Sequence, residues 1–184
     1  MTTMTKRTIL FLVFVLGAAC SPASEEDLAA VSSLKVDLDA VVELGQVYPV
    51  DGITSAGQPD EAGFSVFAEK GYVAVIDIRT DDEDRGLDEP ATVRQLGMEH
   101  ISFPIGREDI TIEKAAELSD MLAQYGEPVL VHCASANRVG ALFALQVFEE
   151  TGDAEYALEV GREGGMTRLE DTVKAQMGSE SGEN

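Results

Sequence analysis

Residues 128–148 read PVLVHCASANRVGALFALQVF, and this stretch decides the fold. Pro128 to His132 is a short unbroken apolar run, as expected of a strand buried on both faces, and Val139 to Phe148 continues with helical character. A strand that passes through a tight loop into a helix is half of a βαβ unit, and its loop lies at the carboxyl edge of a parallel sheet. At that edge stand Cys133, Ala134, Ser135, Ala136, Asn137 and Arg138. Backbone N–H groups of the loop, the positive end of the helix dipole and the Arg138 guanidinium converge there. Together they suit a tetrahedral oxyanion and would hold the Cys133 sulfur as a thiolate. His132 points to the opposite face of the pleat, so its expected role is to orient the loop; a satisfied core histidine is the alternative.

Outward from this stretch, apolar runs alternate with amphipathic patterns. Tyr48 to Ser55 reads as a strand or hairpin, and Pro59-Asp60-Glu61 opens a helix that runs to Lys70 and stops at Gly71. YVAVIDI, Tyr72 to Ile78, is a second buried strand. Asp88 with Pro90 marks a helix start, Leu96-Gly97 its end, and Met98 to Phe103 the next strand. Ile112, Ala115, Ala116, Leu118 and Leu122 have helical spacing within Thr111 to Tyr125, with Gly126 as the stop. Two further helices begin near Asp153 and Met166. The order predicts an α/β fold: one domain over residues 42–177, with a central, mostly parallel sheet flanked by helices, and a flexible tail at 178–184.

The first twenty residues lie outside that core. Lys6 and Arg7 precede the apolar run Ile9 to Leu16, and Gly17, Ala18 and Ala19 lead to Cys20, the layout of a secretory signal. The ending LGAAC resembles a bacterial lipoprotein site in which Cys20 is lipidated, although Leu16 stands one place further from the cysteine than is usual. Cleavage near Ala19 with simple secretion is the other reading. Residues 21–41 read as an acidic tether. Export predicts a periplasmic or cell-envelope location with a membrane anchor at Cys20, and if Cys20 carries lipid Cys133 has no disulfide partner, since the chain has only two cysteines.

Thirteen basic against 34 acidic residues give a net charge of −21. Such a chain repels polyanions, so nucleic acid is not an expected partner, and an anionic substrate has to be attracted locally. No metal or cofactor is called for. Asp81, Asp82, Glu83 and Asp84 read as a solvated acidic loop lacking the ligand pattern of a calcium or zinc site, and His100 and His132 are the only histidines. Arg79 ends its strand on the active edge; an ion pair with that loop accounts for it more simply than anion binding does.

HC followed by small residues and arginine resembles the cysteine-dependent protein tyrosine and dual-specificity phosphatase superfamily. Within it, the chain is more similar to the bacterial phosphatase-like domain associated with beta-lactamase-like hydrolases, which shares the stretch matched by Thr54-Ser55-Ala56-Gly57-Gln58-Pro59. The resemblance covers roughly residues 44–150. It implies a phosphate-ester substrate, a phosphocysteine at Cys133, anion binding by residues 134–138, and a general acid in the loop before the Thr111 helix. Asp109 fits that place, with Glu108 as a second choice and helix capping as Asp109's alternative role. Three departures bear on function. Four residues separate Cys133 from Arg138 instead of the phosphatases' five, a spacing similar to rhodanese sulfurtransferases, which carry a persulfide. Val139 replaces a hydroxyl residue that helps the thiolate leave. Ala136 replaces a glycine, and alanine tolerates positive φ poorly. The alternatives are therefore a rhodanese-like sulfurtransferase and a non-catalytic anion-binding lipoprotein.

Overall fold

Burial of two apolar runs, Ala74–Asp77 and Val129–His132, sets the centre of the molecule: every residue in both is buried. A computed structural model describes residues 47–50, 53–125 and 128–180. The leader, Cys20, the tether, Gly126 and the last four residues, all assigned roles from sequence, lie outside the described residues. The elements in chain order are β1 (Val47–Val50), β2 (Ile53–Ala56), α1 (Glu61–Glu69), β3 (Ala74–Asp77), α2 (Glu89–Gln95) and β4 (Glu99–Ser102). They continue with α3 (Ile112–Leu122), β5 (Val129–His132), α4 (Asn137–Thr151), α5 (Ala154–Glu163) and α6 (Glu170–Glu180).

The five strands lie in the order β1-β2-β5-β3-β4. β2, β5, β3 and β4 run parallel, and β1 closes one edge as the antiparallel arm of a hairpin. The two strands read from sequence as most buried, β3 and β5, are neighbours at the middle of the sheet. Each is covered on both faces, which is why neither shows alternation.

Alternation does decide which core each side chain enters. Ala74, Ile76, Val129, Val131 and Cys133 face the larger core with Leu118, Leu142 and Leu145 from α3 and α4. Val75 and Leu130 face the other way, onto Phe64, Phe67 and Val93 of α1 and α2. Cys133 and His132 therefore sit on opposite sides of the same strand end.

Four helices start as their residues dictate: Asp60, Asp88, Thr111 and Asp153 each accept a hydrogen bond from an amide of the first turn. The last helix differs from the reading near Met166. It begins at Glu170 because Met166 is buried and the Thr167 and Arg168 amides are bound to Asn137, and it runs on to Glu180, past Met177.

α4 and α5 pack backbone to backbone. A Cβ on Gly140 would come within 2.4 Å of the Gly161 carbonyl oxygen, and one on Gly161 within 2.8 Å of the Ala144 Cβ. Only glycine allows that approach, and it seats the start of α4 firmly under the cysteine loop.

Candidate active site

The loop from Cys133 to Arg138 leaves the carboxyl end of β5 and enters α4 directly. Ala136, the residue before the helix, has φ +60° and is the only non-glycine residue in the left-handed region among those described. Its methyl group is fully buried, so the conformation is imposed by the surrounding structure. The early turn starts the helix at Asn137, two places before the Val139 read from sequence. No side chain caps this helix. The N–H groups of its first turn, which have no intrahelical acceptor, are thus left for a ligand.

The other wall of the loop is the segment after β2. The Cys133 amide donates to the Ala56 carbonyl at 3.2 Å, Gln58 N–H to the Ala134 carbonyl at 3.4 Å, and Gly57 forms an antiparallel bridge with Ser135. Gln58 then reaches inward, its Nε2 donating to Glu89 Oε2 at 3.1 Å. The SAGQP segment thereby braces the cysteine loop and joins it to the charged cluster beneath.

That cluster lies on the α1–α2 side of the sheet. Arg79 donates to Asp77 Oδ1 at 2.9 Å and to Glu89 Oε2 at 2.6 Å, and all three side chains are at most 1% exposed. Arg79 was expected to pair with the acidic loop at 81–84. The structure corrects this, because the strand end turns its side chain inward to the two buried carboxylates. His132 shares the cluster: its Nε2 lies 2.8 Å from Glu89 Oε1, and Phe64 packs edge-on against its ring. His100 Nε2 approaches the same oxygen at 3.2 Å. Burial opposes a charge on Glu89, but hydrogen bonds from His100, His132 and Gln58 outweigh it and hold the carboxyl far below its usual range. Asp77 is also held low: burial is again outweighed, here by Arg79. Asp77, Glu89 and His132 are close enough to share a metal ion. Arg79 and Arg85 already neutralise the two carboxylates, so the set is closed as an ion cluster.

On the cysteine side the loop opens into a cleft of about 420 Å³. Cys133 and Arg138 line it together. Arg138 is gripped end-on by Glu83, with Nη1 and Nη2 each 2.6 Å from a carboxylate oxygen, while Nη1 also donates to the Ile105 carbonyl at 2.9 Å. Thr80 N–H and Oγ1 hold Glu83 in turn. Burial disfavours both charges, but for Glu83 the bonds from Arg138 and Thr80 win and lower its pKa. For Arg138, Glu83 and the neighbouring Cys133 sulfur win and raise it. The acidic loop is thus only partly the solvated one expected. Asp81, Asp82 and Asp84 are exposed, whereas Glu83 belongs to the site.

The remaining candidates divide. Asp109 sits at the turn before α3 with Oδ2 accepting from the Gly106 amide at 2.9 Å, set back from the cleft. Glu108 is exposed on the cleft wall. Thr111, not Asp109, caps α3. Asn137 lines the cleft, and its side chain is tied to the α5–α6 connection: Oδ1 accepts from the Thr167 and Arg168 amides at 2.7 and 2.8 Å. This bond pins Arg168 beside the cleft, which Arg107 lines as well. Neither arginine was singled out from sequence, because each lies in a polar loop with no motif around it.

Cys133, Arg138 and the rest of the cleft except Arg168 lie inside the segment, residues 49–148, that matches the family model of the beta-lactamase hydrolase-like protein, phosphatase-like domain. The chain belongs to that family. A beta-lactamase hydrolase-like protein of Xylella fastidiosa is 34% identical to the phosphatase-like chain over 94 residues, which is 49% of this chain and 22% of the relative. The chain therefore spans about a fifth of the length of the curated relatives it matches. Solved structures share its fold. A DUF442 protein of Shewanella putrefaciens superposes with TM-score 0.60 at 18% identity, covering 78% of this chain and 97% of that one. P. aeruginosa TpbA, in a cysteine-to-serine form in complex with pTyr, gives 0.55 at 20% identity, covering 71% and 87%. The α/β domain is therefore similar in fold to these structures.

Proposed function

We propose that this phosphatase-like domain is a cysteine-dependent hydrolase of phosphate esters that acts through a phosphocysteine. The observation that carries the reading is the convergence of Cys133, Arg138 and the uncapped start of α4 on one cleft. First-turn N–H groups and Arg138 would hold the phosphoryl oxygens. Cys133 Sγ would attack phosphorus, forming the S–P bond as the ester O–P bond breaks, and Glu108, which faces the cleft, would give its proton to the departing oxygen. Water would then displace phosphate and return the thiolate. Val139 offers no hydroxyl to assist that second step, so the phosphocysteine is expected to accumulate. Cys20 as a lipid anchor, and with it a cell-envelope location, belongs to the same proposal, as does the division into leader, tether and domain.

The test is p-nitrophenyl phosphate hydrolysis by reduced protein across pH, with Cys133→Ser as control, together with mass analysis of acid-quenched enzyme for a phosphate adduct on Cys133. Hydrolysis and adduct that both vanish in the variant support the reading; rates equal to the variant's defeat it. The four-residue spacing favours one second reading, a persulfide-carrying sulfurtransferase. Transfer of sulfur from thiosulfate to cyanide by the parent, absent in Cys133→Ser, would select it.

A further inference from the structure

The walls of the cleft say what kind of ester fits. Among the described residues, no aromatic and no large apolar side chain lines it. An aryl phosphate would find nothing for its ring to pack on, although apolar contact is what most small-molecule pockets supply. In place of apolar walls stand charges. In a chain of net charge −21, carboxylates claim four of the seven guanidinium groups among the described residues: Arg79, Arg85, Arg138 and Arg162 each pair with one at 2.6–2.9 Å. Arg107 and Arg168 are exposed, pair with no carboxylate among the described residues, and both open onto the cleft. Arg168 is also held in place, since its amide is bound by Asn137 of the cysteine loop at 2.8 Å. The cleft, at about 420 Å³, has the size of a small-molecule site and exceeds what one phosphoryl group needs.

We infer that Arg107 and Arg168 form a second anion subsite, and that the substrate is a small polyol phosphate carrying a second phosphoryl group. The inference rests on the phosphatase reading for the first phosphoryl group at Cys133 and Arg138. The second is taken by these two guanidinium groups, whose planar forks match phosphate oxygens. The polyol is accommodated by hydrogen-bond acceptors on the wall, of which Asp82 is exposed and faces the cleft. Local attraction of this kind is needed because the net charge of the chain repels a polyanion at long range.

The probes are fructose bisphosphate, phosphorylated at both ends of the sugar, and fructose monophosphate, assayed on the full chain. kcat/KM is expected to favour the bisphosphate by about tenfold or more, the effect of one added charge-assisted contact, and the ratio to collapse towards one in Arg107→Ala/Arg168→Ala. Equal kcat/KM for the two esters, or a preference that survives in the double variant, overturns the subsite. Failure of the phosphatase reading looks different, because then no ester, including p-nitrophenyl phosphate, is turned over faster than by Cys133→Ser. In that event calorimetry on Cys133→Ser still decides. Tighter binding of the bisphosphate that is lost when both arginines are replaced upholds the subsite, and equal binding of the two sugars sinks it.

Discussion

Two arginine–carboxylate clusters lie on opposite faces of the same strand ends, and burial makes them different devices. Arg79, Asp77 and Glu89 are closed off from water, with each carboxylate engaged by two or more partners. Arg138 and Glu83 form an equally short fork, but their side chains are 12% and 28% exposed at the wall of a cleft. A buried cluster of this kind cannot give up a member without stranding a charge, whereas a partly solvated pair can exchange one partner for a ligand anion. The lesson is that the same chemistry seals the fold on one face and lines an open cleft on the other.

The sharpest way to break the comparison is Glu89→Ala, which removes the acceptor for Arg79, His132 and Gln58 together. Stability measured by urea unfolding is expected to fall by about 3–5 kcal/mol, the cost of breaking a buried pair from one side. Arg138→Ala is its counterpart. Phosphate binding by calorimetry should be lost while the urea midpoint moves little, and a large loss of stability would show that the two clusters are not distinct in kind.

Acid separates them further. Glu89 is held below its ordinary pKa of 4.5 in the folded state, so its contribution is complete above that value and drains away as pH falls through the folded pKa. The parent should therefore lose stability below about pH 4.5, and Glu89→Gln, starting lower, should show a flatter decline by circular dichroism. Ala136→Gly relieves the left-handed alanine and is expected to add about 1 kcal/mol or slightly less, visible as a small rise in Tm. Smallest in stability is Glu83→Gln, below about 1 kcal/mol for a half-open pair. Its effect should appear in binding instead: with a negative charge removed beside Arg138, phosphate affinity should rise severalfold at low salt, and the gain should shrink as salt is added.

Much of the fold was legible because its signals are local. Runs such as VLVH and AVID announce buried strands, and Asp60, Asp88 and Asp153 announce helix starts that the structure keeps. The cysteine loop was equally legible, even to the strain at Ala136. Glu83, Arg107 and Arg168 were not, since in sequence each is one more charged residue in a polar loop. Nor was Glu89, which sits between a capping aspartate and a proline like many acidic first-turn residues, yet is fully buried.

By itself the sequence determined the alternation of strand and helix, the family, and the pairing of a cysteine with an arginine across one tight turn, because all of these depend on neighbours in the chain. Only the tertiary structure decided which arginine is sealed in the core, which is gripped by Glu83 and which two are left open to the cleft. A charge takes its partner from whatever the sheet brings near it, and β3, β5 and the α5–α6 connection meet only once the chain has folded.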